Sequence, residues 1–238
     1  MTSTRALLLI ADMGGYTEYM RTHRMSLAHA EVNTGRLLEK VIDAAPGFDL
    51  VEVEGDAAFL SMDAEGLAPE AAVKEVLQAA AAMHRAFHIE RQYVARNLCP
   101  CAGCKEAGAL KLKFVAHVGE VAIQTIRQRH KLVGIDVILV HRLLKNPVEL
   151  PEYVLLSDEL YSAGADAVSA PVHETGAELE GVGPVRAFFV DVDELQWSLP
   201  PLPAPSWRGR VGRTFAAAGL GMPYMLGLRR RREPAPAQ

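Results

Sequence analysis

Residues 5–17 read Arg-Ala-Leu-Leu-Leu-Ile-Ala-Asp-Met-Gly-Gly-Tyr-Thr. The apolar run 6–11 is what a strand buried on both faces shows, and Asp12 stands at its end. Gly14-Gly15 breaks the run, and Thr17 is placed to cap a helix. Leu37, Leu38, Val41, Ile42 and Ala45 recur at helical spacing, which predicts one helix over about 16–45, stopped by Pro46-Gly47. Residues 48–53 and 57–62 then read as two strands pinched around Gly55-Asp56, a hairpin turn. The Ala-rich stretch 67–95 has Pro69 where a first helical turn tolerates it and predicts a long helix. Past a cysteine-bearing loop at 99–104, Leu112, Phe114, Ala116 and Val118 alternate along a strand. Gly119-Glu120 is read as a turn into a second strand, 121–126. A helix over 136–145, a strand at 153–156, a short helix at 158–162 and a strand at 185–192 complete the series. The order β-α-β-β-α-β-β-α-β-α-β predicts an α+β fold, helices packed on a mostly antiparallel sheet.

At 238 residues, half of them apolar, the chain reads as one large domain with extensions. The expected division is a body over 1–197, a Pro-rich stiff linker over 198–206 and a basic, partly apolar C-terminal tail over 207–238. From Trp207 onward there are seven Arg and one Glu, a local +6, which leaves −10 on residues 1–206 of the chain's −4. An acidic body is a poor partner for nucleic acid, which wants basic stripes. No apolar run reaches the roughly 20 residues of a membrane-spanning helix, and the start lacks the pattern of a signal peptide. Three cysteines, an odd number within six residues, do not make a disulfide framework. A cytoplasmic protein is expected.

Two carboxylates hold privileged places: Asp12 at a strand end, and Asp56 at a hairpin tip after Glu54 and Gly55. Singly, each reads as a cap or turn residue. Together, at adjacent strand ends, they read as a site for a hard cation, since Mg²⁺ favours a pair of carboxylates plus phosphate oxygens. The wording around them carries a resemblance. Ala11-Asp12-Met13-Gly14-Gly15-Tyr16-Thr17 is similar to the Asp-Ile-x-Gly-Phe-Thr opening of class III nucleotide cyclases, and Glu52-Val53-Glu54-Gly55-Asp56-Ala57 to their Gly-Asp hairpin. Ala116-His117-Val118-Gly119-Glu120-Val121 resembles their Ile-His-Thr-Gly-Glu-Val segment. Gly134, Val137, Arg142 and Leu143 match their Gly-Asp-x-Val-Asn-x-x-x-Arg-Leu helix. The four motifs occur in order over residues 5–192. An uncharacterised bacterial branch of that superfamily, a domain of unknown function, is more similar still, in Val-Glu-Gly-Asp-Ala (53–57), Lys-Phe-Val-Ala-His-x-Gly-Glu-Val (113–121) and His-Arg-Leu-Leu-Lys-Asn (141–146).

The resemblance implies the ferredoxin-like nucleotide cyclase fold and a homodimer with each site built across a two-fold interface. It implies that Asp12 and Asp56 hold Mg²⁺ or Mn²⁺ against a triphosphate from one protomer. Glu52, Lys131 and Arg142 would come from the other. Glu52 takes the base-reading position, and a carboxylate there suits the N–H donors of guanine. Lys131 takes its partner position and is neither of the family's common choices; Arg142 takes the phosphate-steadying position. Two departures stand out. The family's ribose-positioning Asn falls on Ile138, and residues 179–183 hold Glu180 and Val182 but no phosphate-gripping Lys. Each lost donor to a charged transition state costs orders of magnitude in rate. The expectation is a degenerate cyclase-like domain that binds a metal-nucleotide or similar purine ligand in a signalling role with little turnover. The alternatives are a slow or altered purine nucleotide cyclase and a purely structural dimer module.

Cys99-Pro100-Cys101-Ala102-Gly103-Cys104 is a second feature. Three thiolates from a Gly-containing loop can hold Zn²⁺, with His84, His88, His117 or His130 as a fourth ligand; free, redox-sensitive thiols are the other reading. In the tail, Gly219, Gly221, Gly227 and Pro223 predict a poorly ordered segment. That segment is either a solvated appendage or a weak membrane-surface contact, its apolar residues entering the interface while Arg229–Arg232 meet anionic headgroups.

Overall fold

The computed structural model describes residues 3–22, 27–99, 101–196 and 200–225. Eight strands run in the order β1 (Ser3–Gly14), β2 (Asp49–Glu54), β3 (Ala57–Asp63), β4 (Lys111–Ile126), β5 (Arg129–Val133), β6 (Tyr153–Ser157), β7 (His173–Leu179) and β8 (Gly183–Asp191). Among the described residues eight α-helices accompany them: α1 (Tyr16–Thr22), α2 (Leu27–Asp43), α3 (Pro69–Ala95), α4 (Ala102–Glu106), α5 (Ile135–Leu143), α6 (Asp158–Gly164), α7 (Val192–Gln196) and α8 (Trp207–Met225). The strands form one sheet in the spatial order β2-β3-β1-β4-β6-β8-β7, with β5 paired to β4. Every pairing is antiparallel except β4 with β6. The first half, β1-α-β2-β3-α3-β4, is the split β-α-β arrangement of ferredoxin-like folds.

Strand β1 is central because its apolar run serves two cores at once. Leu7, Leu9, Ala11 and Met13 face α2 and α3 in one buried cluster; Ala6, Leu8 and Ile10 face α5 in another. Period-two alternation with both faces apolar is the mark of a strand covered on both sides. Parity puts Asp12 on the α5 side. Helix α3 buries Val73, Val76, Leu77, Ala80, Met83, His84 and Phe87, a stripe at three- and four-residue spacing. Each such large side chain contributes about 1.5–3 kcal/mol.

The α+β architecture and the mostly antiparallel sheet agree with the sequence reading; four local expectations do not. The single helix over 16–45 is two helices, and residues 23–26 lie outside the described part. Gly119-Glu120 is no turn: β4 runs straight through it, paired with β1 from Ser3↔Ala122 to Gly14↔Lys111. The glycine serves packing instead, because a Cβ there would lie 2.3 Å from Cγ of Asp136 on α5. β5 and β7 are polar strands (Arg-His-Lys-Leu-Val and His-Glu-Thr-Gly-Ala-Glu-Leu) that offer no apolar run.

The fourth correction is the C-terminal segment. Where glycines and Pro223 predict poor order, residues 207–225 form α8, seated on α2 and α3. Its helix is held by tertiary contact rather than propensity. Arg213 Nη2 meets Glu90 Oε2 at 2.5 Å and lies over the Tyr93 ring, 5.3 Å from its centroid. Thr214 Oγ1 accepts from Leu98 N at 3.0 Å. Gly209 sits so close to Tyr93 that a Cβ would come within 2.6 Å of the ring. The Arg229–Arg232 run lies outside the described residues. Among the described residues no helix is long and apolar enough to cross a membrane.

Candidate functional site

The β1–β4 register places Lys113 directly beside Asp12, and Lys113 Nζ lies 3.2 Å from Asp12 Oδ2. The β1–β3 pairing sets Asp12 against Ala57, the residue after Asp56 at the hairpin tip, where Gly55 has φ +66°. Met13 N donates to Asp56 O at 3.1 Å and locks the tip to the end of β1. The two carboxylates feel each other: burial first, then the charge of Asp12, pushes the Asp56 carboxyl above its ordinary range, with Lys113 acting the other way. Two negative charges and one ammonium leave a net −1 here, so the pair fits a further cation while Lys113 supplies part of the neutralisation itself.

The raised Asp56 carboxyl has a consequence for stability. Its ionised form is disfavoured in the fold, so the cost is present above the folded pKa and relieved as pH falls through it. Asp56→Asn is expected to melt higher than the wild type at neutral pH, the gap closing as acid protonates Asp56. Equal melting temperatures at neutral pH would contradict the assignment.

Glu52 and Lys131 come together 79 residues apart in sequence, Lys131 Nζ donating to Glu52 Oε2 at 3.0 Å across exposed side chains. Glu54 is taken by His141, whose Nε2 lies 3.2 Å from Oε1. Arg142, on α5, is partly buried, and its Nη1 is buried with no hydrogen-bond partner among the described residues. The guanidinium lies against the β7–β8 turn, where a Cβ on Gly181 (φ +73°) would stand 3.3 Å from Nη1. A buried, unanswered guanidinium N–H is costly. Ile138 is 47% exposed, as befits an apolar residue standing at a solvent-facing position. Among the described residues no hydrogen bond or ion pair joins Asp12 and Asp56 to Glu52, Lys131 or Arg142.

His117 is buried between Ser157, whose Oγ is 2.8 Å from Nδ1, and Asp136, whose Oδ1 is 3.1 Å from Nε2. Asp136 Oδ2 also accepts from Glu120 N at 2.7 Å, so this carboxylate fastens α5 to β4. The three thiols of Cys99, Cys101 and Cys104 lie within 4.8 Å of one another. Cys104 Sγ is buried and accepts from Asn97 Nδ2 at 3.2 Å. Burial pushes the neighbouring Tyr19 hydroxyl up to about 12. Among the described residues the thiol group contains no histidine. His117 is bound to Ser157, and His84 and His88 meet Glu152 instead; the His130 side chain lies outside the described part.

Lys113 and Asp136 are site residues the sequence reading missed. Alternation already put Lys111 and Lys113 on the face opposite Leu112 and Phe114; what was lacking was the strand pairing that brings Lys113 to Asp12.

The family model described as "Protein of unknown function (DUF2652)" matches residues 34–153. The chain belongs to the DUF2652 family. A Mycobacterium tuberculosis relative, "Uncharacterized protein Rv2561/Rv2562", is 33% identical over 197 residues, covering 82% of this chain and 90% of its own. Two solved structures share the fold. The adenylyl cyclase CyaB from P. aeruginosa has a TM-score of 0.63 at 17% identity, over 79% of this chain and 94% of that one. The guanylyl cyclase Cya2 has 0.62 at 18% identity, over 79% and 92%. This DUF2652 chain therefore has the cyclase catalytic-domain fold, on an uncharacterised branch.

Proposed function

We propose that this DUF2652 domain is a degenerate member of the cyclase fold that binds a purine nucleotide, with or without a divalent ion, and signals by binding rather than turnover. The observation that carries it is Lys113: its ammonium stands 3.2 Å from Asp12 in the place a catalytic cation would claim. An active two-metal centre gains nothing from a resident lysine, whereas a binding site gains charge balance without metal. Ile138 adds to this, since it offers no donor or acceptor to a ribose. In this reading Arg142, with its unanswered Nη1, takes the anion, and the Glu52–Lys131 pair meets a base edge. An ion held by Asp12 and Asp56, Mg²⁺ or Mn²⁺, would neutralise triphosphate charge.

The separation of Asp12 and Asp56 from Glu52, Lys131 and Arg142 on one chain suits a site completed by a second copy. Ile123 and Ile126 at the far end of β4, and Ile135 and Ile138 on α5, are all exposed and supply apolar surface for that copy. In the same reading, Cys99, Cys101 and Cys104 hold Zn²⁺ with a fourth ligand from solvent or elsewhere. Residues 198–206 are read as a linker and 207–238 as an addition to the 1–197 body; the exposed Trp207 and Phe215 of α8, with the arginines at 229–232 of the sequence, favour weak contact with anionic membrane.

Calorimetric titration with GTP and ATP, with and without Mn²⁺, tests the reading. Saturable binding of one nucleotide per site is expected, and Lys113→Met should tighten Mn²⁺ binding roughly tenfold by removing a rival cation worth about 1.5 kcal/mol. No heat and no saturation with either nucleotide, with Mn²⁺ affinity unchanged in Lys113→Met, would overturn it.

A further inference from the structure

A second constellation lies on the sheet face away from α5. His84 and His88 are four residues apart, hence on one face of α3, and both are buried. Glu152, the residue before β6, reaches them. His88 Nε2 is 2.8 Å from Glu152 Oε1 and 2.9 Å from His84 Nε2; His84 Nε2 is 3.3 Å from the same oxygen.

With Glu152 ionised, protons on the two imidazoles alone do not satisfy this triangle. A carboxylate only accepts, and each Nε2 either donates or accepts. If both imidazoles carry a proton at Nε2, the two N–H groups confront each other at 2.9 Å. If only one does, the lone pair of the other faces the Glu152 oxygen. Some contact is always like against like. One cation at the centre answers all three lone pairs together. The edges fit as well: donors about 2.0–2.2 Å from a metal stand roughly 2.9–3.4 Å apart, depending on the ligand angle, beside the 2.8, 2.9 and 3.3 Å here.

The surroundings hold Glu152 in place. Its Oε1 accepts from Leu112 N at 3.0 Å, and Lys111 Nζ lies 3.7 Å from Oε2. On its open side the triangle borders a cleft of about 300 Å³ lined by Arg85, Asp193 and Pro200–Leu202. Arg85 Nη1 donates to Pro200 O at 2.8 Å and fixes that rim.

We propose that His84, His88 and Glu152 bind one divalent first-row transition-metal ion, Zn²⁺ by preference, whose open coordination positions face this cleft. Two imidazoles select such an ion over Mg²⁺ or Ca²⁺. Two histidines and one glutamate leave room for water or a small anionic ligand, as an open zinc site does. The site is independent of Asp12 and Asp56 and of the thiol group, so it stands or falls apart from the nucleotide reading.

The full chain, stripped with a chelator, is titrated with Zn²⁺ and Co²⁺ in a Cys99→Ser, Cys101→Ser, Cys104→Ser background. One Co²⁺ per chain is expected, with d–d bands and no thiolate charge-transfer band. Glu152→Gln, which keeps an acceptor for Leu112 N, should weaken binding more than about 100-fold, beyond the cost of losing an outer-shell partner. In the wild type, which needs no substitution to fold, Zn²⁺ should shield His84 and His88 from acylation by diethyl pyrocarbonate, read by mass spectrometry. Absence of a thiol-free metal site, binding unaltered by Glu152→Gln, or equal acylation with and without Zn²⁺ would each overturn the proposal.

Discussion

Arg213→Ala is expected to release the C-terminal helix from the body. Glu90 is 2% exposed, and Arg213 is the cation that meets it at hydrogen-bond distance; Arg36 Nε stands off at 3.8 Å. Arg213 is 35% exposed and Glu90 buried, so removing the arginine leaves an uncompensated buried charge, at a cost near the lower end of the roughly 3–5 kcal/mol of a fully buried pair. The chain escapes part of that cost by letting α8 lift and water reach Glu90. Trypsin cleavage after Arg208 and Arg210 should therefore accelerate on the order of a hundredfold, the rate equivalent of about 2.7 kcal/mol. The double variant Glu90→Leu, Arg213→Leu should recover most of the protection, because apolar replacement of both partners removes the orphan charge. Cleavage at the wild-type rate in Arg213→Ala would show that α8 is held by other contacts.

Arg142→Ala should abolish most nucleotide affinity while leaving the fold intact. A charge-assisted hydrogen bond to phosphate contributes about 2–3 kcal/mol, roughly 30- to 150-fold in affinity. Arg142 Nη1 has no protein partner to lose, so the melting temperature should hold or rise. That split between binding and stability separates an anion site from a structural arginine. Arg142→Lys should recover little, since a point charge does not reproduce the planar fork. Unchanged GTP and ATP affinity in Arg142→Ala would remove Arg142 from the site.

The elements legible in the sequence were those with strong local signals. β1 announced itself by an unbroken apolar run, α3 by a long stripe opened by Pro69, and the β2–β3 hairpin by Gly55-Asp56. The polar strands β5 and β7 carry no such signal; they exist because a neighbour offers unpaired backbone groups. Gly119 misled because a glycine needed for close approach to Asp136 looks, in sequence, like a glycine needed for a turn. Helix α8 was hidden for the same kind of reason: its order comes from Glu90, Tyr93 and Leu98, 110 or more residues away in sequence. Asp12, Asp56, Glu52, Lys131 and Arg142 are candidates that motif likeness singles out. Lys113 and the His84–His88–Glu152 triangle are not among them, since they depend on register and on a contact between α3 and the start of β6.

We propose a cyclase fold kept for binding with turnover lost, and a cyclic-nucleotide assay under saturating substrate distinguishes it from an active cyclase. The purified full chain is incubated with GTP or ATP and Mn²⁺ or Mg²⁺ at concentrations that saturate binding, and cyclic product is quantified by mass spectrometry. The account predicts saturated protein with product at or below the level of a protein-free control, and at most a small gain in Ile138→Asn. Sustained formation of cyclic GMP or cyclic AMP by the unmodified chain, near the roughly 10 per second common for enzymes, would contradict it.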